Sequence, residues 1–284
     1  MSALDPQWLD VQYNNRARIP DHAALFERWR EASAVARQGS PGARLNLAYG
    51  EHPDERLDVF PSSRPEAPIL VFIHGGYWRS LSKDDHSFVA PALVQAGATV
   101  VVPEYSLCPT VSIEQIALQM ARALAWVYRH AAEWGGDAKR IVLAGHSAGG
   151  HLTAMLLCCR WRDVGPDLPP QLVHGGLSIS GLFDLEPLRL TPFLKDDLRM
   201  TPASVKRLSP AFFPRPKRPL MAVVGADESE EFLRQNLLIR HQWGPSAVPI
   251  CETVAYCNHL NIVNGLADPA SRLHHLALRL LGLV

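Results

Sequence analysis

The chain has 284 residues, 47% of them apolar and 20% charged, with 28 Lys+Arg against 28 Asp+Glu. That is ordinary globular composition, with enough apolar material for one large α/β domain or two small ones. The balanced charge gives no reason to expect nucleic acid or an anionic membrane as partner, and no apolar run approaches the ~18 residues of a membrane span.

The N-terminus, Met1 to Arg18, carries Asp5, Asp10, Arg16 and Arg18 and has no apolar stretch, so it does not read as a signal peptide. Cytoplasm is the expected compartment. The five cysteines, Cys108, Cys158, Cys159, Cys251 and Cys257, are odd in number and lack CxxC spacing. Free thiols are expected, not disulfides or metal ligands. Asp5 to Ile19 reads as polar and irregular. In Ala23 to Arg37, Leu25, Phe26, Trp29 and Ala32 recur at helical spacing, and Asp21 or His22 can start the helix. It is expected to pack on the domain; a lip over a site is the second reading.

Arg44 to Tyr49 and Arg56 to Phe60 alternate apolar and polar residues, as half-buried antiparallel strands do. Ile69 to Ile73 is wholly apolar, which suits a central strand covered on both faces. It runs into His74-Gly75-Gly76-Tyr77-Trp78. Asp85 to Ala96 reads as a helix stopped by Gly97, Ala98 to Val102 as a buried strand, and Glu104 to Pro109 as a loop. Ile113 to Trp134 is a long helix ended by Gly135-Gly136.

Ile141 to Ala144 is the next buried strand, and Gly145-His146-Ser147-Ala148-Gly149 follows it directly. Leu152 to Cys159 is helix-like. A strand, then Gly-x-Ser-x-Gly, then a helix is what a nucleophile elbow needs: glycines where Cβ atoms would collide, and a serine held out at the strand's end. Val173 to Ser180 is a further strand. Residues 181–218 break the rhythm with six prolines and short helical pieces, and read as a cap insertion that shapes a pocket. Leu220 to Val224 (strand), Glu230 to Trp243 (helix), Val248 to Val254 (strand) and Pro269 to Leu281 (helix) complete the chain. The alternation predicts a single α/β domain over 1–284, with a mostly parallel sheet, helices on both faces, and the segment 1–40 near the site.

A serine nucleophile needs a base, and the base needs a carboxylate to orient it. In a sheet of this kind the three follow as Ser, acid, His, each after a strand. Of the later histidines, His241, His274 and His275 lie within helices and His174 starts a strand. Only His259 follows a strand near the chain's end. The acid belongs after Leu220 to Val224, where Asp227 and Glu228 are both in reach and spacing does not choose between them. Asp184 also follows a strand, but capping of the next helix is its simpler role. The glycines of His74 to Tyr77 free backbone N–H groups, so Gly76 and Tyr77, with Ala148, are the candidate oxyanion donors. Tyr77 and Trp78 are candidates to meet the substrate, and His146 beside the serine belongs with the pocket. His146 and His151 have no Cys or carboxylate cluster around them, so neither metal nor cofactor is expected.

These blocks together look familiar. His74 to Trp78 is similar to the HGGG loop of lipases and esterases, with Tyr77 for the third glycine. With the elbow, with Glu228-Ser229-Glu230-Glu231-Phe232, with His259-Leu260-Asn261-Ile262 and with Tyr13-Asn14-Asn15-Arg16, it resembles the kynurenine formamidase branch of the α/β-hydrolase fold, near hormone-sensitive-lipase-type esterases. The resemblance spans nearly the whole chain. It implies Glu228 as the acid, a departure from the Asp of many relatives. It also implies hydrolysis of an arylformamide such as N-formylkynurenine, or of a small ester. A general short-acyl carboxylesterase is the alternative, and a non-catalytic binding protein the remote one. The expected partner is a small ester or formamide; a homodimer stays open.

Overall fold

The computed structural model describes residues 5–284. Met1 to Leu4 of the segment 1–40 therefore lie outside the described residues. The chain begins with two short helices, α1 (Pro6–Tyr13) and α2 (Asn15–Arg18), where an irregular segment was expected. The Asp5 carboxylate accepts from the N–H groups of Gln7 and Trp8, and Pro6 stands at the first helical position. Asn14 caps α2 through the N–H of Ala17. α3 (His22–Gly39) follows, with Leu25, Trp29 and Ala36 buried along one face.

Eight strands form one sheet: β1 (Arg44–Ala48), β2 (Arg56–Phe60), β3 (Ala67–Ile73), β4 (Thr99–Pro103), β5 (Gly136–His146), β6 (Val173–Ile179), β7 (Leu220–Gly225) and β8 (Ile250–Val254). Their spatial order is β1-β2-β4-β3-β5-β6-β7-β8. β1 and β2 are the antiparallel edge, and β3 to β8 run parallel. β3, β4 and β7 are buried at every residue, as expected of strands covered on both faces. Alternation along β3 divides the core: Ile69, Val71 and Ile73 face one hydrophobic cluster, Leu70 and Phe72 the other.

On the first face lie α5 (Ile113–His130), begun by a Ser112–Gln115 capping box, and α6 (Ala148–Leu157). α4 (Ala90–Gln95) and α12 (Arg272–Leu281) cover the second face with α3. The expected helix from Asp85 to Ala96 is only partly one. Residues 83–85 and 87–89 form 3-10 turns, and α4 starts beside Pro91. Buried His86 explains the break: its Nδ1 donates to the Ser82 carbonyl at 2.9 Å, which fixes the ring inside a turn.

After α7 (Trp161–Val164) and β6, residues 181–218 contain α8 (Glu186–Leu190), α9 (Pro192–Leu198) and α10 (Pro202–Leu208), each with proline in its first turn. Their apolar sides join the first core cluster through Leu188, Leu194, Leu198, Val205 and Leu208. α11 (Glu230–Trp243) packs on β7. Among the described residues no helix is long and apolar enough to cross a membrane. The five cysteines are free thiols.

Candidate active site

Ser147 sits between β5 and α6 with φ 56° and ψ −115°, a backbone conformation that costs a non-glycine residue about 1–3 kcal/mol. The tight packing around it explains the flanking glycines. A Cβ on Gly149 would overlap the Ile73 carbonyl, and one on Gly145 the backbone of Gly149. The parallel register brings the ends of neighbouring strands level, so loops after β3, β5, β7 and β8 meet over one edge of the sheet.

His259, in the loop after β8, lies between the other two residues. Its Nε2 is 3.0 Å from Ser147 Oγ, and its Nδ1 is 2.6 Å from Glu228 Oε2. A carboxylate accepts only, so Nδ1 carries the proton and Nε2 is left to accept from the serine hydroxyl. Glu228 Oε1 accepts from Ser180 Oγ at 2.5 Å and from the Gly225 N–H at 2.8 Å. Asp227, the other carboxylate in that loop, is exposed. The ring of Phe232 packs 4.3 Å from that of His259. All three residues are buried, Ser147 at 2%, His259 at 4% and Glu228 at 7% exposure.

The His74 loop is held from both sides. His74 bonds Glu104 Oε1 at 2.9 Å through Nε2 and stacks on Tyr105 at 4.1 Å. The Tyr105 hydroxyl donates to the His74 carbonyl at 3.0 Å. Gly76 has φ 110° and Tyr77 φ 53°. The N–H groups of Gly76, Tyr77 and Ala148 donate to no backbone carbonyl among the described residues. The Tyr77 hydroxyl donates to the Tyr13 carbonyl at 2.6 Å and accepts from Asn15 Nδ2 at 3.4 Å. Tyr13 in turn donates to Glu231 Oε2 at 2.7 Å, and Gln235 Nε2 bonds its hydroxyl at 3.1 Å. The N-terminal helices thus tie the Tyr77 loop to α11.

A cavity of about 390 Å³ opens onto Ser147 and His259. Its walls include Phe26 and Trp29 of α3, Tyr77, Phe193 of α9, His146 and Leu260. α3 packs on the domain through Leu25, Trp29 and Ala36, and its Phe26 and Trp29 also line this cavity. His146 lines this cavity. Its Nε2 donates to the His259 carbonyl at 2.7 Å, and burial, with His259 and His86 nearby, pushes its pKa well below the ordinary histidine value. Trp78 does not meet the cavity and corrects the expectation for it. Tyr77 and Trp78 both have left-handed φ, and this turns Trp78 into the core, where it meets His151 edge to face at 5.0 Å. His151 is neutral packing: burial holds its pKa at about 4 and its Nε2 donates to the Leu208 carbonyl. Asp184 accepts from the Glu186 N–H at 3.2 Å, but the N-cap of α8 is Leu185 and no side chain caps the helix, so the expected capping role is not the one it takes. No group of three or more metal-ligating side chains occurs among the described residues.

Glu104 and Tyr105, which hold the His74 loop, and Ser180, which bonds Glu228, are site residues the sequence reading does not single out. Ser180 alone left a signal, since it too ends a strand that points at the site.

The profile of the alpha/beta hydrolase fold family matches residues 70–235. A kynurenine formamidase of Danio rerio is 32% identical over 96% of this chain and 96% of its own length. Carboxylesterase NlhH of Mycobacterium tuberculosis is 42% identical over 40% of this chain and 36% of its own. A crystal structure from a Silicibacter species, provisionally described as a thioesterase, superimposes with a TM-score of 0.83 at 32% identity, covering 93% of this chain and 97% of that one. The chain is a hydrolase and belongs to the α/β-hydrolase fold family, among the full-length relatives of kynurenine formamidase.

Proposed function

We propose that this hydrolase cleaves an arylformamide of the N-formylkynurenine type through an acyl-enzyme on Ser147. The observation that carries the reading is the position of His259, within hydrogen-bond distance of both Ser147 Oγ and Glu228 Oε2. As the Ser147 oxygen attacks the formyl carbon, His259 Nε2 takes its proton, and buried Glu228 balances the imidazolium that forms. The N–H groups of Gly76, Tyr77 and Ala148 receive the oxyanion; one such donor is typically worth ~3 kcal/mol of transition-state stabilisation. His259 then protonates the departing arylamine nitrogen. Water, deprotonated by the same imidazole, releases formate and restores Ser147. No metal or cofactor enters any step.

Aromatic walls at Phe26, Trp29, Tyr77 and Phe193 suit an aryl leaving group, and the full-length likeness to the Danio rerio kynurenine formamidase supports the formamide. The segment Asn14 to Trp29 and α9 shape the substrate side of the cavity. The five free thiols support a reducing, cytoplasmic setting for this reading. A short-acyl carboxylic ester is the second reading, favoured by the likeness to the mycobacterial carboxylesterase.

The test compares kcat/KM for N-formylkynurenine with that for short p-nitrophenyl esters, in the parent protein and in Ser147→Ala. The reading expects the formamide to be preferred and Ser147→Ala to abolish both activities. Retained hydrolysis in Ser147→Ala would sink the mechanism, and a preference for the esters would move the assignment to the second reading.

A further inference from the structure

We propose that Arg16 is a specificity-determining residue that binds a carboxylate carried on the leaving-group side of the substrate. The inference deepens the reading above, since it takes the cavity over Ser147 as the site of acyl transfer.

The charged side chains lining this cavity are Arg16, Arg79 and Asp197. Two of them neutralise each other: Arg79 pairs with Asp197, and its guanidinium also donates to the Phe193 carbonyl at 2.9 Å. Arg16 has no carboxylate partner among the described residues. It is held instead by two neutral contacts. Its Nη2 donates to Ser80 Oγ at 3.2 Å, and its guanidinium lies 5.4 Å from the centroid of the Phe26 ring. A guanidinium has five donors, and Ser80 takes one of them. The remaining donors form the planar fork that matches a carboxylate.

The position of Arg16 follows from its neighbours. Asn15, adjacent in the chain, donates to the Tyr77 hydroxyl, and Tyr77 stands in the loop over Ser147. Arg16 is therefore tied to the frame that carries the oxyanion donors. A formyl or acetyl group fills little of a cavity of about 390 Å³. The bulk of the substrate, and any charge on it, must occupy the leaving-group side. With Arg79 and Asp197 cancelling, the net charge met there is the single positive charge of Arg16. The substrate class is thus an aryl formamide or aryl ester whose leaving group bears a carboxylate, as the amino-acid end of N-formylkynurenine does.

The experiment uses two aryl acetates that differ only in the leaving group, 4-acetoxybenzoate and phenyl acetate, on the parent protein and on Arg16→Gln and Arg16→Glu. The parent is expected to favour the carboxylate-bearing ester. In Arg16→Gln the ratio of kcat/KM for 4-acetoxybenzoate over phenyl acetate should fall about 2- to 10-fold, the worth of a bidentate ion pair that water still reaches. Most of the fall should appear in KM, and Arg16→Glu should lower the ratio further. Added salt to 0.5 M should shrink the parent's preference, because Arg16 is exposed. An unchanged ratio, or equal losses for both esters, overturns the proposal. Because both probes are esters, the result stands apart from whether N-formylkynurenine is cleaved.

Discussion

Replacing Glu228 by Gln removes the charge beside His259 and keeps the shape of the side chain. The amide oxygen can still accept from Ser180 and Gly225, as Oε1 does now. Its NH2 then faces His259 Nδ1, which has to accept, and the ring's proton moves to Nε2. That nitrogen can no longer accept the Ser147 proton. The imidazolium formed during attack also loses its counter-charge. Two unit charges centred about 4 Å apart attract by about 4 kcal/mol at an effective dielectric near 20, roughly a thousandfold in rate. With the tautomer penalty added, kcat should fall about 10³–10⁴-fold. The assay is steady-state hydrolysis of p-nitrophenyl acetate and N-formylkynurenine, with a melting curve to show that the fold persists. Asp227→Asn is the control, because that carboxylate is exposed and kcat should stay within about twofold of the parent, as surface changes usually do. A Glu228→Gln protein with more than a tenth of the parent's kcat would refute the reasoning, as would an equal loss in Asp227→Asn.

Tyr77→Phe removes the hydroxyl that joins the oxyanion loop to the Tyr13 carbonyl and leaves the ring in the cavity wall. One neutral hydrogen bond is worth about 1 kcal/mol, so kcat should fall about fivefold with KM little changed; an effect confined to KM would contradict the tether. The buried histidines make stability depend on pH. Burial, with His74 beside it, holds the pKa of His86 at about 3; burial alone holds His151 at about 4, and His146 also lies well below its ordinary value. Each binds a proton more readily when unfolded, near pH 6.5, so stability is complete above that pH and is lost as the pH falls toward the folded values. At pH 5 His86 and His151 should each cost about 2 kcal/mol relative to pH 8. Urea unfolding at the two pH values measures it, and equal stabilities would contradict the assignment.

The parts of the site legible in the sequence are local or ordered along the chain. The elbow can be read because five consecutive residues encode it. His259 can be read because only one late histidine follows a strand. Asp227 and Glu228 are adjacent, and a choice between them turns on which side chain the loop after β7 points inward, a property that spacing does not express. Trp78 was misplaced for a similar reason: two successive left-handed residues reverse the direction of its side chain, and nothing in His-Gly-Gly-Tyr-Trp announces them. α1 went unread because its polar composition hides its support. Much of that support comes from Glu231 and Gln235, more than 200 residues along the chain. The Arg79–Asp197 pair likewise joins positions 118 residues apart.

The tether from Tyr13 to Tyr77 and the cavity wall that continues from it separate two tasks along the chain. The residues proposed to react stand after the ends of β5, β7 and β8. Much of the surface that would select a substrate comes from residues 14–29 and 193–197, outside the sheet. Exchange of these two short stretches between relatives should therefore redirect the hydrolase to new substrates while its chemistry stays intact. A library confined to them, with Asn15 held constant, would explore specificity at little cost to turnover.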